Sequence, residues 1–143
     1  MYTYKAKVNR IIDGDSVVFD IDLGFDTWLN KQSIRLYGID TPESRTRDLT
    51  EKQFGMLAKT RIQGLLPVGS TVTIKTVKDK GGKYGRILAE IITGEEINVN
   101  LTMIEEKLAV YYEGQSKDLI EMEHLENRKF LIKEGKIILN ENK

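Results

Sequence analysis

Three short stretches of this chain between them supply carboxylates and arginines. Asp13-Gly14-Asp15 comes first, Arg35-Leu36-Tyr37-Gly38-Ile39-Asp40-Thr41-Pro42-Glu43 is the densest, and Lys83-Tyr84-Gly85-Arg86 follows. Carboxylates are hard oxygen ligands for a divalent cation, and guanidinium forks match the oxygens of a phosphate. Brought together without a histidine, the two sets point to metal-assisted cleavage of a phosphodiester. Each residue also has a plainer use. Asp15 and Asp40 suit a turn or a cap, Glu43 a solvated loop, Arg35 a buried ion pair with Asp40 or Glu43, and Arg86 a solvated strand start. The crowding of Arg35, Asp40 and Glu43 into nine residues favours the chemical use.

Composition excludes several alternatives. The 143 residues contain 22 Lys+Arg and 22 Asp+Glu, for a formal net charge of +0. Phosphate binders usually carry a basic excess, so neutrality argues against tight nonspecific binding but leaves room for a locally basic cleft. No cysteine is present, which removes disulfides and thiolate metal sites. The one histidine, His124, lies in a charged stretch near the C-terminus and is expected to stand outside the site, so that its replacement changes nothing. Paired-histidine catalysis, histidine-rich zinc sites and a Ser-His-Asp triad are thereby excluded. Hydrophobic content of 40% fits one ordered domain over 1–143, with its core at about 6–139. The start, from Met1 to Lys7, lacks an apolar leader, and no stretch approaches transmembrane length. A cytoplasmic protein without membrane partners is expected, or a secreted one if a leader has been removed.

The elements that must position these residues are mostly strands. Val8–Ile12 reads as the first, and Val17, Phe19, Ile21 and Leu23 alternate on one face of the second. Residues 24–32 form a hairpin connection, 33–37 a third strand, and 72–77 and 87–92 two more, separated by a glycine-rich loop over 79–85. Thr50-Glu51-Lys52-Gln53 has capping-box spacing ahead of Phe54, Leu57, Ala58, Ile62, Leu65 and Leu66 at helical intervals, with Pro67 and Gly69 as the stop. Asn98 or Asn100 caps a second helix, and Ser116 a third that runs to about Glu134 with Gly135 behind it. Residues 136–139 are expected as an extended tail folded back on the domain. Five short strands with a helix between the third and fourth describe an α+β fold dominated by β: a five-stranded OB-fold Greek-key barrel with three helices, an architecture that often binds oligonucleotides.

With Asp-Gly-Asp-Ser, Arg-Leu-Tyr-Gly-Ile-Asp-Thr-Pro-Glu and Lys-Tyr-Gly-Arg in this order and spacing, the chain resembles the staphylococcal nuclease (thermonuclease) family. The resemblance implies a calcium-dependent endo/exonuclease acting on single-stranded DNA, duplex ends and RNA, working as a monomer and leaving 3′ phosphates and 5′ hydroxyls. It assigns calcium to Asp15, Asp40 and the Thr41 carbonyl, the general base to Glu43, and phosphate stabilisation to Arg35 and Arg86. It places Lys83 and Tyr84 on a terminal phosphate and a tyrosine under the base. Pro42 fits this assignment by keeping Thr41 extended. Asp13 suits either an outer role at the cation or a simple turn. Tyr111 and Tyr112 are adjacent and would point to opposite faces if extended, so one stacks and the other belongs to the core. Trp28 either grips single-stranded substrate or covers the barrel edge, the second being favoured. Two other readings are an inactive OB module binding nucleic acid or protein, and an unrelated OB scaffold binding sugar or protein; neither requires the full Arg/Asp/Glu set retained here.

Overall fold

The computed structural model describes residues 2–77 and 87–139. In chain order the elements are β1 (Tyr2–Asp13), β2 (Ser16–Asp22), β3 (Trp28–Leu36), β4 (Ile39–Asp40), α1 (Leu49–Leu65), β5 (Thr71–Val77), β6 (Ile87–Thr93), α2 (Val99–Glu105), β7 (Val110–Tyr111) and α3 (Lys117–Lys133). Five of the strands close into a barrel in the order β1-β2-β3-β6-β5, with β5 returning to β1. The OB-type barrel with three helices among the described residues is the fold expected from the sequence. No helix among these residues is long and apolar enough to cross a membrane.

Closure depends on β1 serving two partners. Tyr2–Lys7 pairs with β5, while Lys5–Asp13 pairs with β2. Register shifts between Val8 and Arg10 and between Ile11 and Asp13 bend the strand from one neighbour to the other, as bulges do. The inward-facing Val8, Val17, Phe19, Ile34, Leu36, Ile74 and Ile91 are almost fully buried, and Ala58, Ile62 and Leu66 cover them from the α1 side. Each large side chain so buried contributes about 1.5–3 kcal/mol.

The strand boundaries differ from those expected. β1 starts at Tyr2 rather than Val8: Tyr4 and Ala6 extend the inward alternation of Val8 between exposed Thr3, Lys5 and Lys7, and the backbone pairs with β5. The 24–32 connection shrinks to a turn before Trp28: Gly24, Phe25 and Asp26 all take positive φ, and the Asp22 carboxylate accepts from the Gly24 amide at 2.8 Å. β3 then runs on through a bulge, where Lys31 has φ 55° and its amide donates to Asp20 Oδ1 at 2.8 Å. Leu23 opens that turn and is exposed.

Caps define the helices. The side chain of Asp48 accepts from the Thr50 and Glu51 amides, displacing the capping box expected at Thr50. Asn98 caps α2 and Ser116 caps α3, which ends before Gly135 at φ 71°. The other asparagine, Asn100, is buried and does different work. Its Oδ1 accepts from the Ile91 amide, and its Nδ2 donates to the Ala89 and Tyr37 carbonyls, so it takes over where the short parallel β3–β6 ladder stops at Ala89. Behind α3, Ile137 and Leu139 pack on the core without forming a strand. The loop expected over 79–85 lies outside the described residues.

Candidate active site

The site is built where β2, β3 and β4 meet. Ser16 pairs with Arg35 across β2 and β3, and the Leu36 amide donates to the Asp15 carbonyl at 2.9 Å. Gly38, at φ 79°, turns the chain into β4, where Asp40 pairs with Val110 of β7. The β1–β2 turn is held tight because Asp13 Oδ1 accepts from the Gly14 amide, which gives Asp13 its turn-forming role. Gly14 is required there by space: a Cβ would stand 2.8 Å from that of Ala58 and 3.0 Å from Thr41 Oγ1. The small residue lets α1, the turn and Thr41 come together.

Arg35 joins the two aspartates. Its Nη1 donates to Asp15 Oδ2 at 3.1 Å, and its Nη2 donates to Asp40 Oδ1 at 3.3 Å and to the Ile39 carbonyl at 3.2 Å. The Thr41 amide donates to the same Asp15 oxygen at 3.2 Å. Asp15, Asp40 and Thr41 therefore lie around one guanidinium, and Glu43 follows two residues on, exposed, with its amide held by Glu51 Oε2 at 3.0 Å.

Negative charge is in surplus here. Burial pushes the Asp15 carboxyl above its ordinary value, outweighing the Arg35 guanidinium and the Thr41 amide, and the charges of Asp40 and Asp13 add to the rise. Partial burial, then the charges of Asp13, Asp15, Glu51 and Asp40, push Glu43 upward too. Asp40 goes the other way. Burial raises it, but His124 and Arg35 together outweigh that and hold it below the usual carboxylate range.

The surplus fits a hard cation. Asp15 and Asp40 offer carboxylate oxygens, the Thr41 Oγ1 is buried without a hydrogen-bond partner, and a carbonyl and waters suit the rest of a calcium shell. Among the described residues no group of three or more His, Cys, Asp or Glu converges as a metal cluster, so a cation here would rest on two carboxylates with carbonyl and water oxygens.

Residues 33–136 match the family described as Staphylococcal nuclease homologue, well over half of the chain. The chain belongs to the staphylococcal nuclease family. It is 28% identical over 114 residues to Endonuclease YhcR of Bacillus subtilis (strain 168), covering 76% of this chain and 9% of that protein. It is 32% identical over 103 residues to Thermonuclease of Staphylococcus hyicus, covering 72% of this chain and 53% of that protein. An uncharacterized endonuclease of Escherichia coli is 29% identical over 114 residues, covering 79% of this chain and 64% of that protein. The matches thus span less than two thirds of each of these relatives.

In this staphylococcal nuclease family member, Asp15, Arg35, Asp40, Thr41 and Glu43 are brought together as the motif spacing predicts. Lys83, Tyr84 and Arg86 lie outside the described residues. Tyr112 lies beside the site, with Arg35 Cζ 5.8 Å from its ring centroid, while Tyr111 faces a groove lined by Leu119 and Met122 of α3. Both tyrosines are exposed, so neither fills the core position expected for one of them. Among the described strands β7 pairs with β4 alone, and α3 beside it leaves about half of Tyr111 exposed. Trp28 starts β3 and carries the Lys7 ammonium 5.5 Å from its ring.

His124 is the main correction. Expected outside the site, it reaches in from α3 and places Nε2 2.8 Å from Asp40 Oδ2. It sits on the face of α3 that also presents Lys117, Ile120 and Arg128 to a cleft of about 660 Å³ beside Asp40 and Tyr112. The i, i+4, i+8 spacing of Ile120, His124 and Arg128 was the available signal. Glu51 was also missed, although it stands in the first turn of the helix that follows Glu43.

Proposed function

We propose that this chain is a calcium-dependent nuclease that hydrolyses phosphodiester bonds of DNA, RNA or both, releasing the 5′ oxygen and leaving a 3′ phosphate. The observation that carries the reading is the sharing of Arg35 between Asp15 and Asp40, with Glu43 on the same loop and an uncompensated negative charge around them. Membership of the staphylococcal nuclease family and the nuclease names of its relatives support it.

In this reading Asp15, Asp40 and the Thr41 carbonyl hold calcium. When bound, the ion supplies a Lewis acid that polarises the phosphate. Glu43 accepts a hydrogen bond from the attacking water and orients it; its raised proton affinity suits a group that takes a proton during attack. Arg35 makes three contacts through Nη1 and Nη2, and a guanidinium has five N–H donors, so donors remain for the phosphate oxygens. Arg86 serves the same oxygens and the departing 5′ oxygen, Lys83 and Tyr84 serve a terminal phosphate, and Tyr112 stacks on a base. The single domain over 1–143 acts on a single strand, a duplex end or RNA as a monomer.

A fluorogenic single-stranded DNA incubated with calcium, with magnesium, and with excess chelator tests the reading. Cleavage with calcium and little with magnesium is expected. Full cleavage in chelator would remove the metal from the proposal, and binding without cleavage would leave an inactive OB module.

A further inference from the structure

We propose that His124 is a positioning residue for the cation site, holding the Asp40 carboxylate in the orientation in which it receives calcium. The proposal rests on the calcium reading above. Asp40 is engaged at both oxygens, Oδ1 by Arg35 Nη2 at 3.3 Å and Oδ2 by His124 Nε2 at 2.8 Å. A carboxylate can only accept, so in this 2.8 Å contact His124 Nε2 is assigned the proton and donates it. Each oxygen keeps a further lone pair, which leaves both available to a cation.

The backbone of Asp40 is pinned by its pairing with Val110, but the carboxylate torsion is broad and two-fold. Arg35 alone would not select one orientation. With Oδ2 released, the guanidinium would be free to take both Asp40 oxygens as a bidentate fork, a stronger arrangement for the pair. That would draw Arg35 off Asp15 and turn the Asp40 oxygens toward the arginine rather than the cation. By occupying Oδ2, His124 keeps Arg35 divided between the two aspartates. The imidazole is well placed for a fixed role: its side chain is 14% exposed, and α3 carries it from the opposite wall of the cleft.

Partners that orient a metal ligand from outside the coordination shell typically change metal affinity by about 10–100-fold when removed. The test is calorimetric titration of calcium chloride into the purified full chain without nucleic acid. It compares wild type with His124→Leu, His124→Asn and His124→Gln, and follows thermal unfolding in chelator alongside. Glutamine places an amide N–H the same number of bonds from Cβ as imidazole Nε2, whereas asparagine is one bond short. We expect His124→Leu and His124→Asn to weaken the calcium Kd by about 10–100-fold and His124→Gln to retain most of it. Should His124→Leu fail to fold, the contrast between asparagine and glutamine decides alone. Wild-type affinity in His124→Asn, or equal loss in His124→Asn and His124→Gln, overturns the role of the N–H while leaving the calcium reading standing. Absence of calcium binding by wild type overturns both.

Discussion

Gly55 of α1 lies against the main chain of Glu43 so closely that a methyl group at position 55 would run into the Glu43 carbonyl and stand 2.6 Å from the Ser44 nitrogen. The helix thus sets the height of the Glu43 loop by an absent side chain, and Glu51, one turn earlier, ties down the Glu43 amide. Gly55→Ala is expected to cost about 1–3 kcal/mol by overpacking. It should also lower kcat toward 10²-fold, because small misplacements of a catalytic group are amplified in the rate. Denaturant unfolding and steady-state kinetics check this; a folded variant with wild-type kcat would show that the loop height does not matter.

Arg35→Ala and Glu43→Ala should each lower kcat by about 10²–10³ while substrate affinity changes less, since both act where charge develops or a proton moves. Arg35→Ala should be the more destabilising, because it leaves the buried Asp15 without its guanidinium. Circular dichroism melts beside kinetics separate the two effects. A raised KM with unchanged kcat would place Arg35 in ground-state binding instead.

The chain without calcium should lose stability as pH rises from the ordinary carboxylate range toward neutrality. Asp15 and Glu43 are raised in the folded state, so the folded chain holds protons that the unfolded chain has released, and ionising them costs stability across that interval. Asp40 is lowered, so its contribution is present above the ordinary value and disappears as pH falls through its folded one. Urea midpoints in chelator should therefore fall with pH in wild type and fall less in Asp15→Asn. Calcium should flatten the wild-type curve, stabilising by about 2.7 kcal/mol at 100 times its Kd. A wild-type midpoint that rises with pH through this interval would contradict the assignment.

Tyr112→Ala should raise KM on single-stranded substrate by an amount corresponding to about 1–3 kcal/mol of stacking. Tyr111→Ala should have a smaller effect, its ring being turned toward Leu119 and Met122. Steady-state KM values for the two variants decide the matter, and a reversal of their order would reassign the stacking face.

Affinity for single-stranded DNA should be weak and only moderately salt-dependent, since the net charge is +0 and each phosphate neutralised contributes about −0.7 to the log–log slope. A slope steeper than about −4 would mean a basic track beyond the cleft.

Much of this arrangement is legible in the chain. The alternation of Val17, Phe19 and Ile21 gives the second strand, and the Asp15, Arg35, Asp40 and Glu43 cluster follows from motif spacing because turns and neighbouring strands bring these residues together locally. What escapes is non-local or unpatterned. The two-residue strands β4 and β7 are too short to show a period, and the first half of β1 sends only Tyr4 and Ala6 inward between exposed polar residues, too weak an alternation to mark a strand without its pairing to β5. Asp48 outcompetes Thr50 as a cap, which spacing alone does not decide. His124 is hidden most completely, since its partner is 84 residues away and depends on where α3 docks.

That separation gives the site a folding order. The Asp15–Arg35 contact closes only 20 residues, within a meander of adjacent strands, whereas Asp40 meets His124 across 84. Loop-closure entropy grows with such spans, and long-range contacts form late. On a ribosome the first pair can assemble while α3 is still unsynthesised. The full set of contacts around Asp40 then exists only once α3 has been made and docked, which ties the arming of the site to the arrival of that helix.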